Sequence, residues 1–283
     1  MNKRPKVIVI VGPTSSGKTA KSIDLAKKLK GEIIGADSRQ IYRGLDLGSG
    51  KVTKTEMAGI PHHLISIANP KKTFSVAQYQ KLAEQKIADI IRRNKTPIIV
   101  GGTGFYIQAI TDGLIFPEVP PNKKLRQELA KDDTENLWRQ LRLLDKRRAS
   151  TIDRHNRVRL IRAIEIARTL GQVPRLKTKP SQYTFEIIGL KVAPEKLRQK
   201  IALRLNHRLK LGLVAEVNRL HRQGLSWKRL EEFGLEYRYV SRYLRGLISK
   251  ADMIEQLNQA INDYAKRQVT WLKKIKHITW HEV

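Results

Sequence analysis

The apolar residues of this chain fall into two rhythms. Short unbroken runs, Val7 to Val11, Glu32 to Ala36 and Thr96 to Val100, alternate with longer stretches in which apolar residues recur every three or four positions. Runs of the first kind predict strands buried on both faces, and the second rhythm predicts amphipathic helices. The helix after the first strand carries Ala20, Ile23, Leu25, Ala26 and Leu29 and is expected to end near Lys30, with Gly31 as its C′ residue. Gly44 to Pro61 holds little pattern beyond Gly and Lys and reads as a mobile connection, after which Pro61 to Ile67 leads into another strand. Thr73 to about Arg93 is helical, with Val76, Tyr79, Leu82, Ala83, Ile87, Ile90 and Ile91 on its buried stripe.

Past Gly113 the pattern changes. Phe116 to Pro121 is a proline-rich hinge, and from Lys123 to about Gly171 the period is helical throughout. Strand returns at Tyr183 to Val192, followed by helices over Pro194 to Lys210 and Val214 to Arg222, the latter stopping at Gly224. Trp227 and Phe233 to Arg238 read as loop. A long helix then runs from about Ala251 to Lys274, with Ser249 as N-cap, Asp252 three residues on, and Ile254, Leu257, Ile261, Tyr264, Gln268 and Trp271 as its stripe. His277 to Val283 is expected as an edge strand. The fold class this implies is α/β, a parallel-sheet core like that of the P-loop NTPases formed by residues 1–114 and 180–283, with an all-helical insertion over 115–179.

Composition narrows the chemistry. The 283 residues include no cysteine, which excludes disulfides and thiolate metal sites and suits a cytoplasmic protein. The basic start followed by an apolar run superficially resembles a signal peptide, but the run is too short and leads straight into a glycine loop; no stretch approaches the apolar length of a membrane span. Lys and Arg number 56 against 26 Asp and Glu, a net charge of +30. Such a surface attracts polyanions at a distance, so nucleic acid is the natural partner; a generally basic, non-binding surface is the alternative. Residues 139–162 of the insertion concentrate this excess, with Arg139, Arg142, Lys146, Arg147, Arg148, Arg154, Arg157, Arg159 and Arg162 against Asp145 and Asp153.

Candidate chemistry gathers at strand ends. Gly12, Pro13, Thr14, Ser15, Ser16, Gly17, Lys18 and Thr19 fit G-x-x-x-x-G-K-[ST] after a strand and before a helix. Backbone N–H groups of such a loop face one pyrophosphate, Lys18 adds a charge, and the Thr19 hydroxyl can hold Mg2+. The loop alone does not say which pyrophosphate, and most of its kind bind nucleoside triphosphates such as ATP. Asp37, at the end of the second strand, reads as a general base, a Mg2+ ligand or a helix cap. Gly101-Gly102-Thr103-Gly104 ends the next strand, where glycines permit close approach and the Thr103 hydroxyl can reach a phosphate oxygen. The His62-His63 pair lacks matching metal-ligand spacing and is expected to make structural hydrogen bonds.

Taken together, GPTSSGKT at 12 to 19, DSRQIY at 37 to 42, GGTGFY at 101 to 106, RLIRAIEI at 159 to 166 and AKRQVTWLK at 265 to 273 resemble the tRNA dimethylallyltransferase family, in family order over almost the whole chain. The resemblance implies dimethylallyl diphosphate as donor, Mg2+ as cofactor, and a tRNA anticodon stem-loop as acceptor, prenylated on N6 of the adenine 3′ to the anticodon. It implies that residues 12 to 19 hold the diphosphate, that Asp37 takes the proton, that Thr103 contacts the bridging oxygen, and that Arg204 binds the leaving group. Positions matching tRNA contacts are Asp37, Ser38, Arg39, Gln40, Thr103, Arg126, Val158, Arg159, Leu160, Ile161, Arg162, Arg238, Lys266, Arg267, Gln268 and Trp271. A monomer is expected. Phe233 to Arg238 reads FGLEYR where many bacterial members have a shorter Gly-Tyr form, and the zinc-finger extension of eukaryotic relatives is expected to be absent. Three other classes remain to be separated by experiment: a P-loop kinase, a prenyltransferase for free adenine nucleotides, and a non-catalytic RNA-binding protein.

Overall fold

In the computed structural model, which describes residues 4–275 and 277–283, the first apolar run forms β1 (Lys6–Val11) and the glycine loop hands over to α1 (Lys18–Lys28). There follow β2 (Gly31–Gly35), α2 (Lys54–Met57), β3 (His62–His63), α3 (Val76–Arg92), β4 (Thr96–Gly101) and α4 (Gly104–Thr111). A second compact unit, Leu114–Lys179, contains β5 (Leu114–Ile115), α5 (Lys123–Leu129), α6 (Thr134–Leu144), α7 (Lys146–Thr151), α8 (Arg157–Leu170) and β6 (Lys177–Thr178). The chain then returns to the first unit with β7 (Thr184–Lys191), α9 (Pro194–Lys210), α10 (Leu213–Arg222), α11 (Trp227–Phe233), α12 (Leu235–Leu244), α13 (Lys250–Leu272) and β8 (Ile278–Glu282).

The main sheet is parallel throughout, in the order β3-β2-β4-β1-β7-β8. Its inner strands are buried on both sides because alternate residues serve different layers, whereas edge strand β8 is largely exposed. Val7, Val9, Val11, Ile34, Ile99 and Ile187 join the core under α3, α4 and the C-terminal helices, whereas Ile8, Ile10, Ile33, Ile98 and Ile188 join Ala26 of α1. The chain moves outward from β1 to β2 and β3, returns with β4, and crosses to the other side with β7. The order therefore reverses around β1, and in such sheets ligands bind beyond the carboxyl ends of the strands at the reversal.

Several expectations shift in detail. The left-handed residue ending α1 is Lys30, φ 49, while Gly31 already belongs to β2, where a side chain would collide with Ile98 and the Thr96 carbonyl. The 44–61 segment is moored rather than loose: the Glu216 carboxylate accepts the N–H groups of Asp46, Leu47 and Gly48 at 3.2, 2.7 and 3.0 Å, and Thr53 and Glu56 form a capping box on α2. Composition could not reveal this, because the mooring group lies about 170 residues away. The stretch around Trp227 to Arg238 is helical, α11 and α12, capped by Ser226 and broken at Gly234, where φ is 76. On α13 the buried stripe is Met253, Leu257, Ile261, Ala265, Gln268 and Leu272, with Ile254 and Trp271 at its margin. Among the described residues no helix is long and apolar enough to cross a membrane.

The histidine pair does structural work. His62 Nδ1 lies 2.8 Å from the Ile60 carbonyl, and His63 Nε2 lies 2.7 Å from Glu32 Oε2. Glu32, only 2% exposed, also accepts from both guanidinium nitrogens of Arg93 and from Lys95 at 2.9 Å. These hydrogen bonds, Arg93's first, outweigh burial and hold its carboxyl far below the usual range. A depressed carboxylate contributes stability above its unfolded pKa and loses it as pH falls through the usual range toward the folded value. Glu32→Gln should therefore cost about 1–3 kcal/mol at neutral pH, since Arg93 and Lys95 can rehydrate. Urea titrations should show the difference from the parent shrinking below about pH 4.

Candidate active site

Three loops leave the carboxyl ends of β1, β2 and β4 on one edge of the sheet. The first curls because Ser15 and Gly17 adopt left-handed backbone, φ 61 and 86, and Gly17 then caps α1. Gly12 contributes space, not a left-handed turn: a Cβ there would lie 2.6 Å from Ser16 Oγ and 3.2 Å from Leu190 of β7. Ser16 Oγ is buried without a partner, Thr14 and Ser15 are half-buried, and Thr19 is exposed at the start of α1. Lys18 Nζ folds back on its own loop, donating to the Gly12 and Pro13 carbonyls at 2.9 and 2.6 Å.

Asp37 follows β2 with one oxygen committed. Its Oδ1 accepts from the N–H groups of Arg39 at 2.8 Å and Gln40 at 3.3 Å, fixing the turn, while Oδ2 has no hydrogen-bond partner among the described residues. The cap and the candidate base are thus the two halves of one carboxylate. Thr103, in the third loop, ties these strand ends together. Its Oγ1 accepts from Ser38 N–H at 3.0 Å, and its own N–H donates to the Ala36 carbonyl at 3.2 Å.

The glycines of GGTG have a reason that sequence could not supply. None has a positive φ; a Cβ on Gly101 would overlap the Ala36 carbonyl, one on Gly102 the Gln268 amide, and one on Gly104 the Trp271 ring. The close approach they permit is that of β2 and α13. Gln268 Oε1 accepts the Thr14 N–H at 2.8 Å and its Nε2 donates to the Gly102 carbonyl at 3.0 Å.

Arg204, from α9, reaches the first loop from the other side. Its guanidinium donates to Thr14 Oγ1 at 3.2 Å and to the Gly50 carbonyl at 3.4 Å. Gln40 Nε2 donates to the same Gly50 carbonyl at 3.1 Å, and Arg208 pairs with Glu236 at 2.9 Å behind it. Burial, then the Arg208 charge, lowers the Arg204 pKa to about 10, opposed by Glu236, Asp37 and Glu56. Burial, then the Arg204 charge, lowers Lys18 to about 7, opposed by Asp37. Two desolvated, mutually repelling cations, with Asp37 the one carboxylate that acts on both, make a site that an incoming dianion relieves.

Other candidate residues are distributed differently. Arg39 donates to the Glu232 carbonyl at 3.3 Å and lies over Phe233, and Arg238 is exposed on α12. Lys266 and Arg267 are exposed on α13, where Lys266 lies 3.5 Å from Asp263. Within the insertion unit, Arg126 and Arg162 both bind Glu165, which is 1% exposed and also accepts the Asn122 N–H at 2.6 Å. Burial opposes ionisation of Glu165, but these donors prevail and its pKa is lowered. Arg159 is exposed and Val158 is 78% exposed, whereas Leu160 is fully buried and Ile161 packs at the edge of the insertion core. The Leu160 side chain is thus a core residue, out of reach of a polyanion unless the unit opens.

Sequence reading missed the roles of Glu216, Arg208 and Gln268. Only Gln268 left a signal, an amide standing in an apolar stripe. Among the described residues no group of three or more His, Asp or Glu could hold a metal ion.

Known proteins resemble this chain over nearly its whole length. The IPP transferase family model matches residues 40–275. tRNA dimethylallyltransferase 1 of Geotalea uraniireducens is 42% identical over 273 residues, spanning 95% of this chain and 89% of that protein. The tRNA dimethylallyltransferase of Anoxybacillus flavithermus is 42% identical over 283 residues, spanning 98% and 90%. The full-length tRNA isopentenylpyrophosphate transferase from Bacillus halodurans is 35% identical and similar in structure with a TM-score of 0.74, over 99% of this chain and 90% of that one. A eukaryotic dimethylallyltransferase acting on tRNA gives a TM-score of 0.78 at 27% identity, over 98% of this chain and 74% of that one. With a glycine loop, a half-committed aspartate and a half-buried arginine at one edge of a parallel sheet, and with likeness of this extent, the chain belongs to the tRNA dimethylallyltransferase family.

Proposed function

We propose that this protein transfers a dimethylallyl group from dimethylallyl diphosphate to N6 of the adenine 3′ to the anticodon, releasing diphosphate. The observation that supports this most is the unpartnered Asp37 Oδ2 in the same charged cluster as Lys18 and Arg204. The bond between the prenyl C1 and the bridging oxygen breaks, C1 bonds to N6, and an N6 proton passes to Asp37 Oδ2. Adenine N6 is a weak nucleophile because its lone pair is delocalised, so a base is needed as the C–N bond forms. The loop amides, Lys18 and Arg204 stabilise the charge that develops on the departing diphosphate, and Thr103 Oγ1 donates to its bridging oxygen.

Mg2+ suits this donor set. An exposed Thr19 hydroxyl at the end of the glycine loop suits an ion that takes most of its ligands from phosphate and water. Thr19 would hold it, and the ion would withdraw charge from the diphosphate.

The acceptor base is normally stacked, and its extrusion costs a few kcal/mol, recovered through phosphate contacts of the basic insertion and of Lys266 and Arg267. Arg159, exposed at the start of α8, separates this role from structural ones, because Arg126 and Arg162 also support Glu165. Arg159→Ala should weaken stem-loop binding and reduce the slope of log affinity against log salt by about one, with donor affinity unchanged. Fluorescence anisotropy across a salt series measures both.

Incubation with radiolabelled dimethylallyl diphosphate and an anticodon stem-loop, followed by nucleotide mapping, tests the proposal. Label on N6 of the adenine 3′ to the anticodon supports it. Tight Mg2+-dependent ATP binding with no binding of the prenyl donor, or equal transfer to free AMP, overturns it.

A further inference from the structure

Gln268 stands where the pattern of α13 calls for an apolar side chain, between Ala265 and Leu272 on the buried stripe, and it is 8% exposed. A carboxamide buried there is costly unless its groups are bonded. Both are used, and both on loops of the active-site rim: Oε1 on the Thr14 N–H of the phosphate loop and Nε2 on the Gly102 carbonyl next to Thr103. The fit is reciprocal, because only a glycine at 102 leaves room for the amide, and one turn on, Trp271 fills the space beside Gly104. Thr14 is also the residue that Arg204 grips through its hydroxyl, so the loop is held between α9 and α13.

From this we infer that Gln268 is a positioning residue for the reaction, a brace that fixes the separation between the diphosphate loop and the Thr103 loop. This rests on the reading of residues 12–19 as the donor site. It gives the 265–273 motif a task apart from tRNA contact: Lys266 and Arg267 point to the exposed side, while Gln268 reads inward across the sheet edge. A brace of this kind acts on donor binding and on turnover, since the leaving group and the hydroxyl meeting its bridging oxygen are set by the two loops it joins. A tRNA contact would act on acceptor affinity.

Gln268→Met keeps the length and removes both hydrogen bonds; Gly102→Ala, at a residue with ordinary backbone, presses on Nε2 from the opposite side. Steady-state and single-turnover assays with radiolabelled dimethylallyl diphosphate, together with anisotropy of a labelled stem-loop measured without donor, separate the possibilities. The brace predicts about a tenfold loss in donor affinity and about a tenfold loss in kcat for both variants, with stem-loop affinity within about twofold of the parent. Donor affinity and kcat within twofold of the parent, or a loss confined to stem-loop affinity, would overturn it. Should Gln268→Met fail to fold, Gly102→Ala decides alone by the same criteria. Failure of the parent enzyme itself to bind the donor would count against the donor-site reading, not against the brace.

Discussion

Asp37→Asn is expected to slow prenyl transfer by about 100-fold or more at saturating donor and stem-loop, the usual worth of a positioned base. Asparagine is the informative replacement because its carbonyl oxygen can still accept from the Arg39 and Gln40 N–H groups, as Asp37 Oδ1 does at 2.8 and 3.3 Å. The turn survives and only the proton acceptor at the Oδ2 position is lost. Alanine would remove cap and base together, so its effect would not separate the two. Single-turnover rates with radiolabelled donor, paired with stem-loop anisotropy, make the check: the rate falls while acceptor affinity changes far less. A rate near that of the parent would remove Asp37 from the base role and leave it as a cap.

The second large effect concerns Lys18. In the free enzyme its pKa is lowered to about 7, by burial first and by Arg204 next. A bound diphosphate favours the charged ammonium and raises that pKa, so above pH 7 donor binding takes up a proton. The sign follows directly. Below about 7 Lys18 is already charged and affinity is at its best; above it, affinity falls by up to about tenfold per pH unit until the pKa of the complex is reached. Arg204, lowered only to about 10, keeps its charge through most of this window. Isothermal titration in two buffers of unlike ionisation enthalpy measures the proton directly. Lys18→Met should abolish both the uptake and the pH slope and slow transfer by about 100-fold or more, as expected for losing a donor to the leaving group. An unchanged pH slope in that variant would show that another group carries the titration.

How much of this was legible in the sequence depends on how far each reason lies from its residue. β1, the glycine loop and α1 are adjacent, and β-branched runs, Gly17 and an amphipathic repeat announce them locally. Ser75 with Gln78 and Ser249 with Asp252 likewise mark their helices by capping boxes within four residues. Where the cause is remote, local reading fell short. The 44–61 segment has a bland composition because its order comes from Glu216 on α10. The stretch from Trp227 to Arg238 passed for loop because Gly234 divides it, leaving the seven residues of α11 and only the first turn of α12 within it. In the site, Asp37 and Thr103 could be placed on a common rim from strand ends alone. That Asp37 spends one oxygen on its own turn, and that the glycines of GGTG admit Ala36, Gln268 and Trp271, depends on partners up to 167 residues away, Trp271 beside Gly104. The net charge of +30 pointed to a polyanion, yet it did not distinguish Arg159, which is free to meet one, from Arg126 and Arg162, which hold Glu165.

The account stands on a carboxylate and a diphosphate facing opposite sides of one prenyl carbon. Its most direct test is a crystal structure with an anticodon stem-loop and a sulfur-bridged donor analogue whose C–S bond resists ionisation. The account predicts diphosphate oxygens on the amides of residues 12–19 and Asp37 Oδ2 within about 3 Å of the extruded adenine N6, with C1 between them. An adenine N6 facing some other group, or a diphosphate seated away from Lys18 and Arg204, would contradict it.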